Sequence, residues 1–361
     1  MRPTRRVAMI SASIGAGHDH AADQLTAALV ADGHVVTRHD FLDLLPAGAG
    51  RWFAGIYSAQ LRTAPSTWGA VVGALRQRQL AAMTAGTLAR TAAPGLQAAL
   101  TGREDLVVST FPFASQALGR LRGNGQLAAP VATFLCDPSV HPLWVSAGVD
   151  THIALHTTAA AQAHRLGARG IAVCTPAVSA EFHPATATER SAARARWGLP
   201  HGTIALVVGG SWGAGQLAHA ARDIAATGLA TPVTVCGRNT GLYRRLVRGG
   251  PGIAVGWVHD MAELLRAADV VVHNAGGMSC WEAIATGVPV LAYRALPGHG
   301  AANAAALQEG GLSGWSRNRA ELRAALRDPR PSAPTPGGTP TPVEVLRRLL
   351  GTPVTDLAEV A

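Results

Sequence analysis

The sequence of 361 residues contains no lysine, so all 31 of its basic side chains are arginines. Acidic residues number only 22, and the formal net charge is +9. This balance favours anionic partners such as nucleotides, acidic lipid head groups or nucleic acid. The four cysteines lie far apart and form no Cys-x-x-Cys pair. Their spacing argues against a zinc site or a disulfide framework and favours a reducing compartment.

Long hydrophobic runs are also missing, since no stretch approaches the ~18 apolar residues that a membrane span requires. The opening "MRPTRRVAMISASIGAG" resembles a twin-arginine export signal, but its unbroken apolar run covers only Val7–Ile10. A buried first strand is therefore the favoured interpretation. No Asp-x-Asp motif occurs, so no carboxylate pair of that spacing predicts a divalent metal. The expected location is cytoplasmic, with peripheral contact at the inner face of the plasma membrane left open.

Short apolar runs alternate with Ala-rich helical stretches along most of the chain. "RVAMISAS", "HVVTRHDF", "DLVVST", "PVATFLCD" and "THIALHT" read as strands, and the rhythm breaks around "VCTPAVSAEFHP". It restarts with "TIALVV", followed by "PVTVCG", "GIAVGWV", "DVVVHNAGG" and "VPVLAYR". Alternation of this kind builds parallel sheets with helices on both faces. The sequence predicts an α/β protein with two doubly wound Rossmann-like domains facing a cleft.

The predicted boundaries follow from these breaks. Residues 1–175 form the first domain and residues 185–328 the second. Residues 329–343 include "PRPSAPTPGGTPTP", which is too rich in proline and glycine for a packed element and predicts a flexible linker. Residues 344–361 form a terminal helix and tail, beginning with "VEVLRRLLG".

One stretch of the first domain is purely basic. No acidic residue lies between Asp43 and Glu104, although six arginines do. Aromatic side chains are interleaved, among them Trp52, Tyr57 and Trp68. A basic amphipathic surface with aromatics suits contact with an anionic membrane. An ordinary core stripe with a solvated arginine face explains the pattern equally well.

Two glycine turns stand between a strand and a helix. In "GGSWGAG" the backbone N–H groups are placed to hold a phosphate at the helix amino end. The turn lacks the ending of an ATPase loop and does not fit Gly-x-Gly-x-x-Gly, which disfavours an ATPase or a simple dehydrogenase. The first turn, "SIGAGH", ends in His18 at a helix start, where the helix dipole disfavours the imidazolium. From the residues alone, His18 is either a proton acceptor or a residue that caps its helix or binds phosphate.

The motifs together resemble a known family over the stretch from Val7 to about Ala325. "NAGG...WEAIATGVPVLAY...PG...N" is similar to the donor-binding half of two-domain GT-B glycosyltransferases. "SASIGAGHDHAA", "YSAQLRTAPSTWG" and "CDPSVHPLWVSAGVD" resemble amino-half motifs of the monogalactosyldiacylglycerol synthase and diacylglycerol glucosyltransferase group. That group is related to the enzyme that adds N-acetylglucosamine to form lipid II. The resemblance makes residues 1–175 the acceptor-binding domain and residues 185–328 the UDP-sugar-binding domain.

The resemblance also implies roles for individual residues. His18 would be the general base, and Asp137 would orient it or serve as an alternative base. The implied acceptor contacts are His141, Trp144, Trp52, Tyr57 and Trp68. The implied UDP-sugar contacts are Gly17, Gly210, Ser211, Trp212, Gly213, Arg238, Asn239, Trp257, Val258, Asn274, Gly276, Gly277, Met278, Ser279, Glu282, His299 and Asn303. No metal and no cofactor is expected, because backbone dipoles would stabilise the leaving group.

One segment departs from the family pattern. Where Pro-Gly-Gln-Glu is usual, this chain has Pro297, Gly298, His299 and Gly300. The expected function is inverting transfer of a hexose from a UDP-sugar to a hydroxyl, with diacylglycerol as the favoured acceptor. The altered segment leaves the sugar open and keeps a small natural product as an alternative acceptor. A hydrolysing UDP-sugar 2-epimerase is the alternative enzyme, and a nucleic-acid or membrane-binding module is disfavoured.

Overall fold

The computed structural model describes residues 3–14, 16–50, 52, 55, 78–333 and 336–351. The chain divides into two compact units, with the boundary between Ala177 and Val178. Residues 336–351 belong to the first unit although they end the described chain.

The first unit contains a parallel sheet of six strands in the order β2-β1-β3-β4-β5-β6. The strands are β1 (Arg6–Ser11), β2 (Val35–Asp40), β3 (Leu106–Ser109), β4 (Val131–Phe134), β5 (Thr151–Ala154) and β6 (Ile171–Val173). The helices are α1 (Ala16–Ala31), α2 (Arg78–Ala99), α3 (Pro112–Gly123) and α4 (Thr157–Arg165), with short 3-10 turns at Pro46–Gly48 and Pro142–Trp144. The strand order reverses between β1 and β3, the position at which doubly wound sheets bind ligands.

The second unit has its own parallel sheet of six strands, in the order β12-β11-β10-β7-β8-β9. The strands are β7 (Ile204–Val208), β8 (Thr231–Val235), β9 (Ile253–Val255), β10 (Val270–His273), β11 (Val290–Tyr293) and β12 (Gly314–Ser316). The helices are α5 (Ala187–Arg196), α6 (Leu217–Ala226), α7 (Thr240–Gly249), α8 (Met261–Ala267), α9 (Met278–Ala285), α10 (His299–Glu309) and α11 (Arg319–Arg327). Here the order reverses between β7 and β10.

Each unit buries its own core against its sheet. Central strands such as β3 and β7 are buried along their whole length, which explains their unbroken runs of Val, Leu and Ile. Residues on α2 and α3 cover one face of the first sheet, including Leu96 and Leu118. In the second unit, Leu217 and Ile224 of α6 pack with Leu322 of α11. The prediction of two doubly wound α/β domains is confirmed.

The sequence patterns missed one strand in each sheet. β6 and β12 have three residues each and lie at sheet edges. β12 is Gly-Trp-Ser and shows no apolar run, whereas β6 is Ile-Ala-Val, the same three residues as the predicted edge strand β9. The predicted strands omit β6, which lies next to the break that marks the boundary, and β12, which follows a Gly-rich turn.

The described residues of the predicted linker, residues 329–343, make hydrogen bonds to the two units, whereas the sequence predicts a flexible segment without packing. Ala333 N donates to Gly311 O at 2.9 Å, and Thr175 N donates to Pro340 O at 2.9 Å. Proline carbonyls accept hydrogen bonds even though proline cannot donate, which explains how such a composition stays attached. The last helix, α12 (Pro342–Gly351), buries Leu346 and pairs Arg347 with Asp32, which directly follows α1. Among the described helices, none has the length and apolar character needed to cross a bilayer.

Candidate functional site

His18 lies at the reversal of strand order in the first unit. It sits in the first turn of α1, which follows β1, and its ring reaches the residue that follows β3. β1 and β3 are paired neighbours, so their carboxyl ends lie side by side. Gly17, the predicted donor contact beside it, is half-buried in the same turn. The sheet therefore presents the imidazole at the edge where ligands of such folds bind.

The hydrogen bond of His18 fixes its tautomer. Nδ1 lies 2.7 Å from the backbone oxygen of Thr110. A carbonyl oxygen only accepts, so Nδ1 must carry the proton and Nε2 is the basic nitrogen of the neutral ring. Thr110 Oγ1 donates in turn to the backbone oxygen of His18 at 3.1 Å. The motifs missed Thr110, although its position directly after β3 is the signal that places it beside the turn after β1.

The imidazole is enclosed by aromatic rings. Phe111 meets it edge-on with ring centroids 5.4 Å apart, and the centroid of Trp144 is 6.0 Å away. Trp144 Nε1 donates to Asp137 Oδ2 at 3.1 Å. Asp137 is thus connected to His18 through the indole that packs against the imidazole. This arrangement restricts rotation of the ring and places a carboxylate behind it.

Side chains of two helices anchor the loop after β4, which carries Asp137 and Trp144. Gln116 of α3 donates from Nε2 to Val145 O at 2.7 Å and to Leu143 O at 2.9 Å. Gln162 Oε1 of α4 accepts from Val140 N at 2.7 Å. Such bonds hold the loop after β4 in one conformation, which a preorganised site requires.

The predicted acceptor contacts differ in how exposed their side chains are. Trp144 is fully buried, so its indole supports the site and offers no accessible surface to an acceptor. His141 is half-buried, with its ring centroid 6.2 Å from that of Trp144. Trp52 is 71% exposed. Tyr57 and Trp68 lie outside the described residues.

In the second unit, the glycine turn after β7 is built by close backbone approach. Gly210 and Gly213 have φ of +69° and +53°, values that favour glycine. A Cβ on Gly213 would lie 2.2 Å from the backbone oxygen of Cys236. Ser211 O accepts from Arg238 N at 2.8 Å, so the turn is bound to the segment after β8.

Two asparagines fix the same turn from the neighbouring strands. Asn239 Nδ2 donates to Gly213 O at 3.2 Å, and Asn274 Nδ2 donates to Ala214 O at 2.8 Å. The second bond sets the orientation of the Asn274 amide, because a flipped amide would direct oxygen at oxygen. Asn274 Oδ1 and Trp212 Nε1 are then buried with no partner among the described residues. The described residues thus leave the hydrogen-bonding capacity of one buried acceptor and one buried donor at the turn unused.

Arg238 lies between two indoles at the same edge. Its guanidinium carbon is 4.7 Å from the centroid of Trp257 and 5.9 Å from that of Trp212. Trp257 is 44% exposed, and Val258 beside it is half-buried. A cation held over aromatic faces keeps its charge in position for an anionic ligand.

Helix α9 begins where β10 ends. Gly277 is its N-cap residue, Met278 is buried and Ser279 is half-buried. Glu282 lies one turn further along and is 8% exposed. Burial, and to a smaller extent the charge of Glu181, raises the pKa of the Glu282 carboxyl to about 7.

The altered Pro-Gly-His-Gly segment opens α10 against the end of β10. Asn303 Nδ2 is 2.9 Å from Ala275 O and 3.1 Å from His299 Nε2, so it donates to both. A Cβ on Gly276 would lie 2.7 Å from Asn303 Cβ. A Cβ on Gly300 would lie 2.5 Å from the backbone oxygen of Asn274. The close approach of α10 to the end of β10 therefore leaves no room for a side chain at residue 300, which explains why it is glycine.

Gly17 lies in the first unit beside His18, and the other predicted donor residues come together at the carboxyl edge of the second sheet. They follow β7, β8, β9 and β10 or open α10. His18 and Asp137 belong to the first unit.

Comparisons with known proteins agree with this division. Residues 18–174 match the family model of monogalactosyldiacylglycerol (MGDG) synthase, and residues 204–313 match the glycosyltransferase family 28 C-terminal domain. A processive diacylglycerol beta-glucosyltransferase of Bacillus cytotoxicus is 24% identical over 64% of this chain and 62% of its own length. The Bacillus subtilis protein of the same name is 23% identical over 58% of this chain and 56% of its own. The matches thus span about three fifths of the length of these relatives.

Solved structures give the same fold at low identity. The glycotransferase of kitacinnamycin has a TM-score of 0.56 and 18% identity, covering 99% of this chain and 96% of that chain. Anabaena HepE, solved in complex with UDP and glucose, has a TM-score of 0.52 and 14% identity, with coverage of 90% and 89%.

The chain has the GT-B fold, and its two halves match, in order, two glycosyltransferase family models. The resemblance to the MGDG synthase and diacylglycerol glucosyltransferase group is confirmed, because two family models match the two halves in order.

Proposed function

We propose that this protein transfers a hexose from a UDP-sugar to a hydroxyl of a lipid acceptor, with inversion at the anomeric carbon and without a metal ion. The observation that carries the proposal is the 2.7 Å hydrogen bond between His18 Nδ1 and Thr110 O. It gives the ring the tautomer in which Nε2 accepts a proton. The acceptor favoured by the named relatives is diacylglycerol.

The reaction is a single displacement. His18 Nε2 removes the acceptor's hydroxyl proton as the oxygen attacks the anomeric carbon of an α-linked sugar. The bond from that carbon to the diphosphate oxygen breaks, and UDP leaves with the electron pair. One displacement at carbon inverts its configuration, so the product is a β-glycoside. Asp137 favours the protonated imidazole electrostatically and, through Trp144, keeps the ring in place.

The donor site in the second unit supplies groups that suit UDP. Backbone N–H groups of Gly210, Ser211 and Trp212 and the guanidinium of Arg238 would hold the diphosphate, since the N–H of Gly213 donates to Gly210 O. Trp257 and Val258 would frame the uracil, and the Glu282 carboxylate would accept from both ribose hydroxyls. His299 and Asn303 would lie at the sugar end. Because these groups supply the positive potential, we expect EDTA to leave the rate unchanged.

Membrane contact is part of the proposal and rests on the basic stretch that follows Asp43. In its described part, Leu80 and Met83 of α2 are 42% and 70% exposed. Arg90 lies on the same helix and is exposed. Exposed apolar side chains beside arginines suit the headgroup region of an anionic bilayer.

The test is UDP release from UDP-glucose and UDP-galactose, with and without anionic vesicles that contain diacylglycerol. Release that requires diacylglycerol would support the glycolipid reaction, and the better donor would identify the sugar. Release that is equal without lipid would instead indicate hydrolysis or epimerisation. Vesicles of the same charge without diacylglycerol are the control, since they show whether UDP release requires diacylglycerol as the acceptor or only a membrane surface.

The raised pKa of Glu282 leads to a pH-dependent affinity for UDP. The ribose diol donates to the carboxylate form, which in the free protein predominates only above a pH of about 7. We expect UDP affinity to rise about tenfold between pH 6 and pH 8. Calorimetric titration of wild type and Glu282→Gln at each pH is the measurement, because the ratio cancels the titration of UDP itself. A ratio independent of pH would contradict the ribose role.

The same group makes folding pH-dependent in the opposite direction. The folded chain holds this proton up to a pH of about 7, whereas an ordinary glutamate releases it near 4.5. Its contribution to the free energy of unfolding is therefore greatest below 4.5 and is lost as the pH rises through about 7. Denaturant unfolding of wild type should show this loss, and Glu282→Gln should show less of it.

A further inference from the structure

Helix α7 of the second unit has an outward face that combines apolar and cationic side chains. Tyr243 and Val247 are 39% and 61% exposed, one helical turn apart. Arg244 and Arg248 follow them at the same spacing and are also exposed. Leu242 and Leu246 on the opposite side are buried in the core, so the helix is held by its inner face. The outer face of α7 is defined here as Tyr243, Arg244, Val247 and Arg248.

The stretch of sequence that contains α7 carries charge of one sign. Residues 224–259 contain four arginines and no Asp or Glu. Within the described part of the chain, the guanidinium groups of Arg244 and Arg248 make no ion pair or hydrogen bond. Surface arginines are usually interspersed with acidic residues, and α11 of the same unit follows that pattern with Glu321 among its arginines. The outer face of α7 therefore carries unneutralised positive charge beside exposed apolar surface.

We propose that the outer face of α7 is a membrane-docking surface for anionic lipid, separate from the basic stretch of the first unit. Its arginines would contact lipid phosphates while Tyr243 and Val247 enter the boundary between head groups and acyl chains. A second copy of the chain is disfavoured as the occupant because two such faces would repel each other. Nucleic acid would satisfy the arginines and leave Val247 without an apolar environment. The inference does not depend on the transferase chemistry.

The test is sedimentation of the full chain with vesicles of phosphatidylcholine containing 30% phosphatidylglycerol, without donor or diacylglycerol. We expect Arg244→Gln/Arg248→Gln to lower the partition coefficient roughly 10- to 30-fold. The matched control is Arg323→Gln/Arg327→Gln on α11, which removes the same charge from a helix that also carries Glu321 and should change partitioning less than about twofold. Val247→Trp should raise partitioning about threefold or more, a gain that misfolding does not produce.

Equal losses in the two double variants would overturn the proposal, because they would show a general charge effect. No loss in the α7 variant, no gain from Val247→Trp, or binding to duplex DNA but not to vesicles would overturn it as well. UDP binding, and UDP release with diacylglycerol in uncharged detergent micelles, are measured on the same variants. If these stay at the wild-type level while vesicle binding falls, the docking surface is supported independently. If UDP release is absent from every sample, the proposed reaction fails while the docking result still stands.

Discussion

His18→Ala is expected to lower kcat by about 10²–10⁴ while UDP binds as tightly as to wild type. The substitution removes the nitrogen that accepts the acceptor's proton, and the donor residues apart from Gly17 lie in the other unit. The substitution should therefore lower kcat without changing the affinity for UDP. The measurement is UDP release at saturating donor and acceptor, paired with calorimetric titration of UDP. A variant within about fivefold of the wild-type rate would remove His18 from the role of base.

His20→Ala is the matched control, because it deletes an imidazole from the same turn of α1 without touching the bond to Thr110. We expect its kcat to stay within about threefold of wild type. Asp137→Asn addresses the alternative base. If Asp137 only supports His18, its amide should cost less than the loss of His18, since the neutral ring is still present. A larger loss at Asp137 than at His18 would assign proton removal to the carboxylate.

The sequence predicts the architecture well because its central strands are buried on both faces. β3, β7 and β10 are short apolar runs with glycine or a polar residue directly after them, and such runs are readable without a structure. The edge strand β12 is Gly-Trp-Ser, so its composition does not distinguish it from a loop. β6 has the same Ile-Ala-Val as the predicted edge strand β9, and it is missed because it lies next to the break between the two halves. Strand order is likewise invisible in the pattern, because it depends on packing between distant segments.

The candidate site could be predicted in part, because some of its residues are restricted to one residue type and others are not. Residues in glycine turns are recognisable because a positive φ restricts the choice of side chain, as at Gly210 and Gly213. Thr110 acts through its backbone oxygen, which every residue possesses, so no residue type marks it. Burial of Trp144 behind His18 is also unreadable, since an aromatic residue in a loop is compatible with either a contact surface or a support.

Gly213→Ala is expected to weaken UDP binding by roughly 10². The glycine has φ of +53°, and a Cβ there would lie 2.2 Å from the backbone oxygen of Cys236. Backbone at a strand end yields little, so the turn must move away from β8 and lose its bonds to Arg238 N and Asn239 Nδ2. A shift of about 1 Å in the phosphate-holding N–H groups is enough to remove most of their effect.

Gly210→Ala is the control that distinguishes displacement of the glycine turn from the effect of backbone strain alone. Gly210 has φ of +69°, yet nothing lies within 4 Å of the position of its Cβ. Alanine there costs only the ~1–2 kcal/mol of a left-handed residue, so UDP affinity should fall about 10-fold or less. Calorimetric titration of both variants with UDP gives the comparison, and denaturant unfolding shows whether each is folded. Equal affinities in the two variants would mean that contact with Cys236 does not position the turn, and the diphosphate would then have to be held by other groups of the second unit.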